Sequence, residues 1–244
     1  MRVSGSDAAS DTGAGNGGEL LASGLSEVLR NVVDEIETDI VFGRLLPRER
    51  LVEDELVARF GAKRHLIRQA LVELERMGLV NRARNRGAAV ADFTPDDVEQ
   101  IYGVRRLLET GAASQIPMPL HPTRLKELRV IQREHDKAVQ GGDTLSAFRT
   151  NNAFHRLLFS ACGNAYLSAA IGYFAQKTHV IRSFSIAKPQ YLRKARDEHW
   201  AMIEALKAGD RKQLVSLCGN HLNISKLPYI EAYRTRFGTP SKPR

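Results

Sequence analysis

The sequence predicts a mainly α chain in two parts, an N-terminal winged helix-turn-helix followed by a C-terminal all-α helical bundle. Three observations predict this division. Residues 53–77 read as two short amphipathic helices separated by a turn at Gly61. A basic segment, Leu79 to Val90, follows with Asn85-Arg86-Gly87 as turn chemistry between two short extended stretches. From Thr94 onward the pattern is helical throughout and is punctuated only by Pro, Gly and Asn.

Taken in order, the first 23 residues are rich in Ser, Gly, Ala and Asp and read as a disordered tail. Leu25, Val28, Leu29, Val32, Val33, Ile36 and Ile40 then recur at helical spacing and give a first helix that ends near Gly43. Glu53 to Phe60 forms a second helix with Leu56, Val57 and Phe60 inward. A third helix runs from about His65 to Met77 and is stopped by Gly78. Its face of Ile67, Ala70, Leu71 and Leu74 is apolar, while Arg64 and Arg68, four residues apart, share the opposite face. Residues 24–92 therefore make the winged unit, with Arg82 and Arg84 on one side of the hairpin.

The boundary falls at Thr94-Pro95-Asp96-Asp97, where Thr94 is an N-cap, Pro95 suits the first helical position and Asp97 can close a capping box. Expected helices beyond it are 95–115, 122–140, 143–162, 165–187, 190–208 and 211–227, with a short tail helix near 229–237. The helical domain is taken as 93–230 and the C-terminal tail as 231–244.

Charge narrows the function. The net charge is +8, but residues 24–92 carry 12 basic and 12 acidic residues, whereas residues 93–244 carry 23 and 13. Overall basicity thus does not locate a nucleic-acid site. The window from Arg59 to Arg86 does: it holds eight basic residues against Glu73 and Glu75, a footprint for phosphates. A basic helix start on a small core is what a helix-turn-helix needs to enter a major groove. No apolar run approaches the roughly 20 residues that span a bilayer, and the N-terminus shows no secretory leader. Cys162 and Cys218 give no disulfide framework, as expected for a reducing cytoplasm.

Catalytic signatures are thin. The chain lacks a Gly-x-Ser-x-Gly elbow, a P-loop, a dinucleotide fingerprint and a His-Glu-x-x-His pattern; Glu198 precedes His199 instead of following it. Cys162 and Cys218 read as small core residues, Trp200 as packed between helices, and Tyr166, Tyr173, Phe174 and Phe184 as core. One histidine set stands apart. Asn151 and His155 are four residues apart on one helix, and His199 and His221 lie on consecutive helices at roughly 15 and 18 Å from the turn at Gly209. Three imidazoles and one oxygen form a first shell for a divalent transition metal such as Zn or Ni, against the blander reading of satisfied core histidines. Arg105 and Glu109, also four apart, are either a surface ion pair or an anchor for a ligand carboxylate. Arg106 and Arg182 are weaker candidates for that anchor.

These residues together resemble the GntR family of bacterial transcription regulators, in the branch with a FadR-type C-terminal ligand-binding domain. The resemblance rests on Gly43-Arg44-Leu45, Pro47, Leu51 to Leu56, Phe60-Gly61, Arg64 to Leu71, Gly78-Leu79-Val80 and Asn85-Arg86-Gly87. It continues through Ile101 to Glu109, Phe154-His155, Ala161 to Asn164, His199, Gly209-Asp210 and His221. It implies DNA contacts for Lys63, Arg64, His65, Arg68 and the wing pair Arg86-Gly87. It also implies a metal held by the positions of Asn151, His155, His199 and His221, with a small organic or sugar acid bound near it. The implied protein is a cytoplasmic, homodimeric regulator, a repressor, that reads a palindromic double-stranded operator. Two departures stand out. Asn151 replaces an acid, and Lys63-Arg64-His65-Leu66 replaces a Ser-Arg-Thr-Pro turn, removing a cap worth on the order of 1 kcal/mol. Asp54 occupies a place where some members carry a DNA-contacting arginine. Two alternatives remain at this point: a metal-dependent hydrolase or lyase with an accessory DNA-binding domain, and a ligand-independent architectural DNA-binding protein.

Overall fold

The computed structural model describes residues 16–83 and 87–237, with side chains from residue 27 onward. The chain is mainly α. A long helix α1 (Asn16–Val41) leads into strand β1 (Arg50–Leu51), helices α2 (Glu53–Phe60) and α3 (Arg64–Arg76), and the hairpin strands β2 (Val80–Ala83) and β3 (Gly87–Val90). The three strands pair antiparallel in the order β1-β3-β2, with Val80 opposite Val90 and Leu51 opposite Ala88. This is a winged helix-turn-helix.

Local chemistry explains the boundaries. Val32, Val33, Ile36 and Ile40 of α1 are buried, so its apolar stripe faces the core. Gly61 closes α2 in the left-handed conformation, which frees the chain to turn into α3 without a Cβ clash. In α3 the stripe of Leu66, Ile67, Ala70, Leu71 and Leu74 is buried. Lys63 sits at its N-cap with no side-chain cap bond, as the missing Ser or Thr implies. Gly78 ends the unit at φ +77°, and a Cβ there would lie 2.8 Å from Lys177 Cγ of the second domain. The site therefore requires glycine for both backbone and packing.

The second part is all helical: α4 (Pro95–Gln115), α5 (Pro122–Gly141), α6 (Thr144–Ser160), α7 (Ala165–Lys177), α8 (His179–Ile186), α9 (Pro189–Ala208), α10 (Arg211–His221) and α11 (Asn223–Phe237). The capping box at α4 is complete: the Asp97 N–H donates to Thr94 Oγ1 at 3.2 Å and the Thr94 N–H donates to Asp97 Oδ2 at 2.9 Å. Two expected helices are split. The segment 165–187 breaks at Thr178, whose hydroxyl donates to the Ala175 carbonyl at 2.8 Å and accepts from Arg105 at 3.0 Å. The segment 211–227 breaks between His221 and Asn223, and its second piece runs to Phe237.

Helix α1 begins at Asn16, inside the stretch expected to be disordered through residue 23. Helix α11 takes in the short helix expected near 229–237, and its Tyr229 and Tyr233 line a cleft with Pro47 and Asp92 of the winged unit. One hydrophobic cluster runs from Val32 and Ile36 through Leu74 and Val90 to Tyr102, Ile181 and Tyr229, so the two parts share a core. A second cluster, centred on Ile116, Phe154, Leu158, Met202 and Leu206, belongs to the helical domain alone. Of the aromatics expected in the core, Tyr166 (90% exposed) and Tyr173 lie at the surface; that face of α7 has no helix against it among the described residues. Cys162 and Cys218 are buried, and Trp200 donates from Nε1 to Asp136 across α9 and α5.

At the seam, the Tyr229 hydroxyl accepts from the Phe93 N–H at 3.2 Å and donates to the Phe93 carbonyl at 2.9 Å. Tyr229→Phe leaves both buried backbone groups unpaired and is expected to lower stability by about 1–3 kcal/mol. Urea unfolding should show this as a lower midpoint at unchanged slope.

Candidate functional site

The side of the winged unit expected to face DNA is built from the first turns of α2 and α3. Arg64 and Arg68 project outward, as their four-residue spacing predicts, and Lys63 and His65 are exposed beside them. They are not bare. Arg68 Nε donates to Glu53 Oε2 at 2.9 Å, Arg64 Nη1 stands 3.7 Å from the same oxygen, and Arg64 Nη2 bonds Asp54. Across the groove, Arg82 of β2 reaches Glu75 at 3.5 Å. Glu53 and Asp54 lie just outside the sequence window whose charge was counted, so the fold neutralises part of a patch that looks strongly positive along the chain. Gly87 is exposed at φ +78° at the start of β3; Arg84 and Arg86 lie outside the described residues.

In the helical domain, α6, α9 and α10 bring three histidines to one point. His155 Nε2 lies 3.2 Å from His221 Nε2 and 3.2 Å from His199 Nε2. Nitrogens about 2.1 Å from a shared ion stand roughly 3.0–3.4 Å apart for right-angled to tetrahedral coordination, so the spacing fits. The proton positions fit as well. His221 Nδ1 donates to Glu198 Oε2 at 2.8 Å, and His199 Nδ1 donates to Gln132 Oε1 at 3.0 Å. The Gln132 orientation is fixed because its Nε2 faces two acceptors, Asp136 Oδ1 and the Arg196 carbonyl. Both rings thus carry hydrogen on Nδ1 and turn Nε2 inward. Burial, reinforced by neighbouring positive groups, holds His155 and His199 well below the ordinary histidine pKa. Three Nε2 atoms converge, and the buried Nδ1 of His155 has no hydrogen-bond partner among the described residues, a geometry that could hold a cation. Sequence spacing found the three histidines, whereas Gln132 and Glu198 carried no sequence signal.

Asn151 departs from the expectation. It is buried near the cluster, but its amide oxygen accepts from Arg182 Nη2 at 2.7 Å and from the Asn152 N–H at 3.3 Å. A bond to a cation competes with any metal for that oxygen. Arg182 also donates to Asn152 Oδ1 at 2.7 Å and lies over the Phe148 ring. It is half-buried with no carboxylate bonded to it among the described residues, and desolvation together with Arg105 lowers its pKa to about 10.

Arg105 is not a surface ion pair: it is 9% exposed and Glu109 2%. Its Nε and Nη2 bond Glu109 at 3.0 and 2.9 Å, and Nη1 bonds Thr178. Burial opposes its charge, and Glu109 with Tyr102 more than restores it, so its pKa is raised. Arg105, Asn152, His155, Arg156, Gln176 and Arg182 line a cavity of about 370 Å³ between α4, α6, α7 and α8. A smaller one of about 50 Å³ shares Arg105, His155 and Arg182 and adds Asn151 and His221. The histidine cluster and the larger cavity therefore have a common wall. That wall is cationic, with Glu109 already committed to Arg105.

One more residue joins this cavity to the winged unit. His179, the first residue of α8, lines the larger cavity and bonds Glu37 of α1 through Nδ1 at 2.6 Å. Its ring packs edge-on to Phe148, which packs edge-on to Phe42 just after α1.

A winged helix-turn-helix sharing its core with a helical domain that holds a metal-shaped histidine cluster defines a DNA-binding transcription regulator. Comparison with known proteins agrees. Residues 29–90 match the bacterial regulatory proteins of the gntR family, and residues 100–223 match the FCD domain. The chain belongs to the GntR family, with an FCD domain as its C-terminal half. An uncharacterized HTH-type transcriptional regulator of Bacillus subtilis, YdhC, is 27% identical over 195 residues, 77% of this chain and 86% of its own. A probable D-xylose utilization operon transcriptional repressor of Paenarthrobacter nicotinovorans is 27% identical over 184 residues, 75% and 80% of the two chains. The solved E. coli McbR/YncC superposes with a TM-score of 0.71 over 84% of this chain and 98% of its own at 19% identity. A putative GntR regulator from Rhodococcus sp. RHA1 gives 0.69 over 84% and 99% at 20% identity, and both share the fold. As a regulator of this family the protein is not an enzyme, which removes the hydrolase or lyase alternative. The same membership replaces the architectural reading. Among the described residues no helix is long and apolar enough to cross a membrane.

The Arg105–Glu109 pair yields a direct check. Glu109→Gln leaves a buried guanidinium without its carboxylate and should cost about 3 kcal/mol. The double change Arg105→Met/Glu109→Leu should cost far less, both read by urea unfolding.

Proposed function

We propose that this protein is a cytoplasmic, homodimeric repressor that reads a palindromic operator and releases it when a small carboxylate binds in the helical domain. The observation that carries this reading is the cationic cavity beside the histidine cluster, joined through His179 to α1 of the winged unit. The repressor role takes support from the Paenarthrobacter relative's name.

Arg64 and Arg68 would meet base edges or phosphates, Lys63 and His65 phosphates at the helix start, and Arg86 with Gly87 the groove beside the wing. His155, His199 and His221 would hold a divalent transition metal such as Zn or Ni through their Nε2 atoms. When bound, the ion supplies a fixed positive charge and open positions for a carboxylate oxygen. The effector itself would be a small organic or sugar acid. Arg182 is its principal anchor, since Arg105 already serves Glu109 and Thr178 while Arg182 has only neutral amides to satisfy. An incoming carboxylate would draw Arg182 from Asn151 and crowd His179 on the same helix, α8. Through the Glu37 bond this biases the position of α1 and hence the spacing of two heads in a dimer.

The test is binding to a duplex selected by the wild-type chain from a random-sequence library, followed by fluorescence anisotropy. Arg68→Ala should weaken binding roughly 5- to 150-fold. Carboxylates from lactate to citrate, screened in turn, should include at least one that weakens wild-type binding but not that of Arg182→Met. Glu37→Gln should bind DNA as wild type does and lose most of the response. Unchanged binding by Arg68→Ala, or a carboxylate response that survives in Arg182→Met, contradicts the reading.

A further inference from the structure

Every arginine described on the surface expected to face DNA for which a partner is resolved has an acid against it. Arg68 and Arg64 share Glu53, Arg64 also holds Asp54, and Arg82 meets Glu75. These pairs are exposed, with Arg64 and Arg68 side chains 51% and 60% accessible, so they add little to stability. Their consequence must lie in what the arginines do next.

Glu53 holds Arg68 by Nε alone. Both Nη groups stay outside that bond on a side chain 60% accessible, and two parallel N–H donors are the pair that matches guanine O6 and N7. A free arginine side chain surrenders rotamer freedom when it binds, at a cost that prior immobilisation removes. The carboxylates act in the opposite sense on the backbone. Set in the first turn of α2 beside the basic start of α3, they repel every phosphate regardless of sequence. One effect favours the right base pair and the other penalises all DNA equally.

We propose that Glu53, with Asp54, is a specificity-determining residue: an acidic clamp that positions Arg68 and Arg64 for base edges and suppresses their use on phosphate. This rests on α3 being the recognition helix. The clamp raises the ratio of specific to non-specific binding without adding a base contact of its own. It also accounts for the acids set against Arg64, Arg68 and Arg82 in a window that looks indiscriminately basic along the sequence.

Glu53→Gln removes the charge and keeps the shape. Using the library-selected duplex and a random-sequence duplex of equal length, the variant should bind the random duplex several-fold tighter. Its salt slope there should steepen by about 0.9 for each arginine released to a phosphate. Preference for the selected duplex should fall roughly tenfold, in the range of one lost bidentate base contact. Asp54→Asn should shift the ratio in the same direction by less, and Glu53→Asp should restore part of it. A merely structural role would weaken both duplexes in proportion and lower the thermal midpoint, and that result overturns the clamp. So does an unchanged ratio. Arg68→Ala measured alongside separates the two failures. If it loses the selected duplex while Glu53→Gln is unaltered, the clamp alone is wrong; if it binds as wild type does, the recognition-helix reading fails and the clamp with it.

Discussion

Three converging imidazoles, with His155 Nε2 3.2 Å from the Nε2 of both His199 and His221, set the constraint around which the helical domain is arranged. A neutral His155 offers at most one Nε2 proton for these two contacts, and its buried Nδ1 has no hydrogen-bond partner among the described residues. The surrounding residues work to keep it so: Glu198 and Gln132 take the Nδ1 protons outward, and burial keeps His155 and His199 neutral. Such an arrangement is costly unless a cation joins it. On the cavity wall, Arg182 is a half-buried charge whose hydrogen-bond partners among the described residues are the neutral amides of Asn151 and Asn152. The histidine cluster and this guanidinium, side by side, are what the proposed carboxylate reading rests on.

Helix α8 makes the cavity matter to the rest of the molecule. It carries Arg182 and His179 on its cavity side, and it packs Val180 and Ile181 into the core that the winged unit shares. Tyr229 of α11 closes the same seam from another direction. Because close-packed cores shift between arrangements as units and do not deform smoothly, on the proposed reading a change at His179 would be passed to α1 through Glu37. The Glu37 contact and the Phe148–Phe42 packing are the two parts of that junction where an effector would be felt.

Much of this was legible in the sequence, for physical reasons that can be named. Helix α4 was readable to the residue because Thr94, Pro95 and Asp97 form a self-contained capping signal. The histidine cluster was readable because two helices meeting at Gly209 must bring equal distances level. What escaped is whatever depends on elements far apart in the chain. The break at Thr178 is set by Arg105 on α4, and Asn151's turn toward Arg182 by the approach of α8 to α6. Arg105 looked like a surface pair because spacing reveals a partner but not burial. The basic window overstated its charge for a similar reason, since Glu53 and Asp54 approach Arg64 and Arg68 only once α2 folds back on α3.

Titration of chelator-stripped protein with Zn(II) by calorimetry decides whether the three histidines suffice to hold a cation without Asn151. The expected outcome is one ion per chain, loss of binding in His199→Ala, affinity lowered roughly 10- to 100-fold in Glu198→Gln, and wild-type affinity in Asn151→Ala. Absence of binding in the wild type, or an Asn151→Ala variant as impaired as His199→Ala, would contradict it.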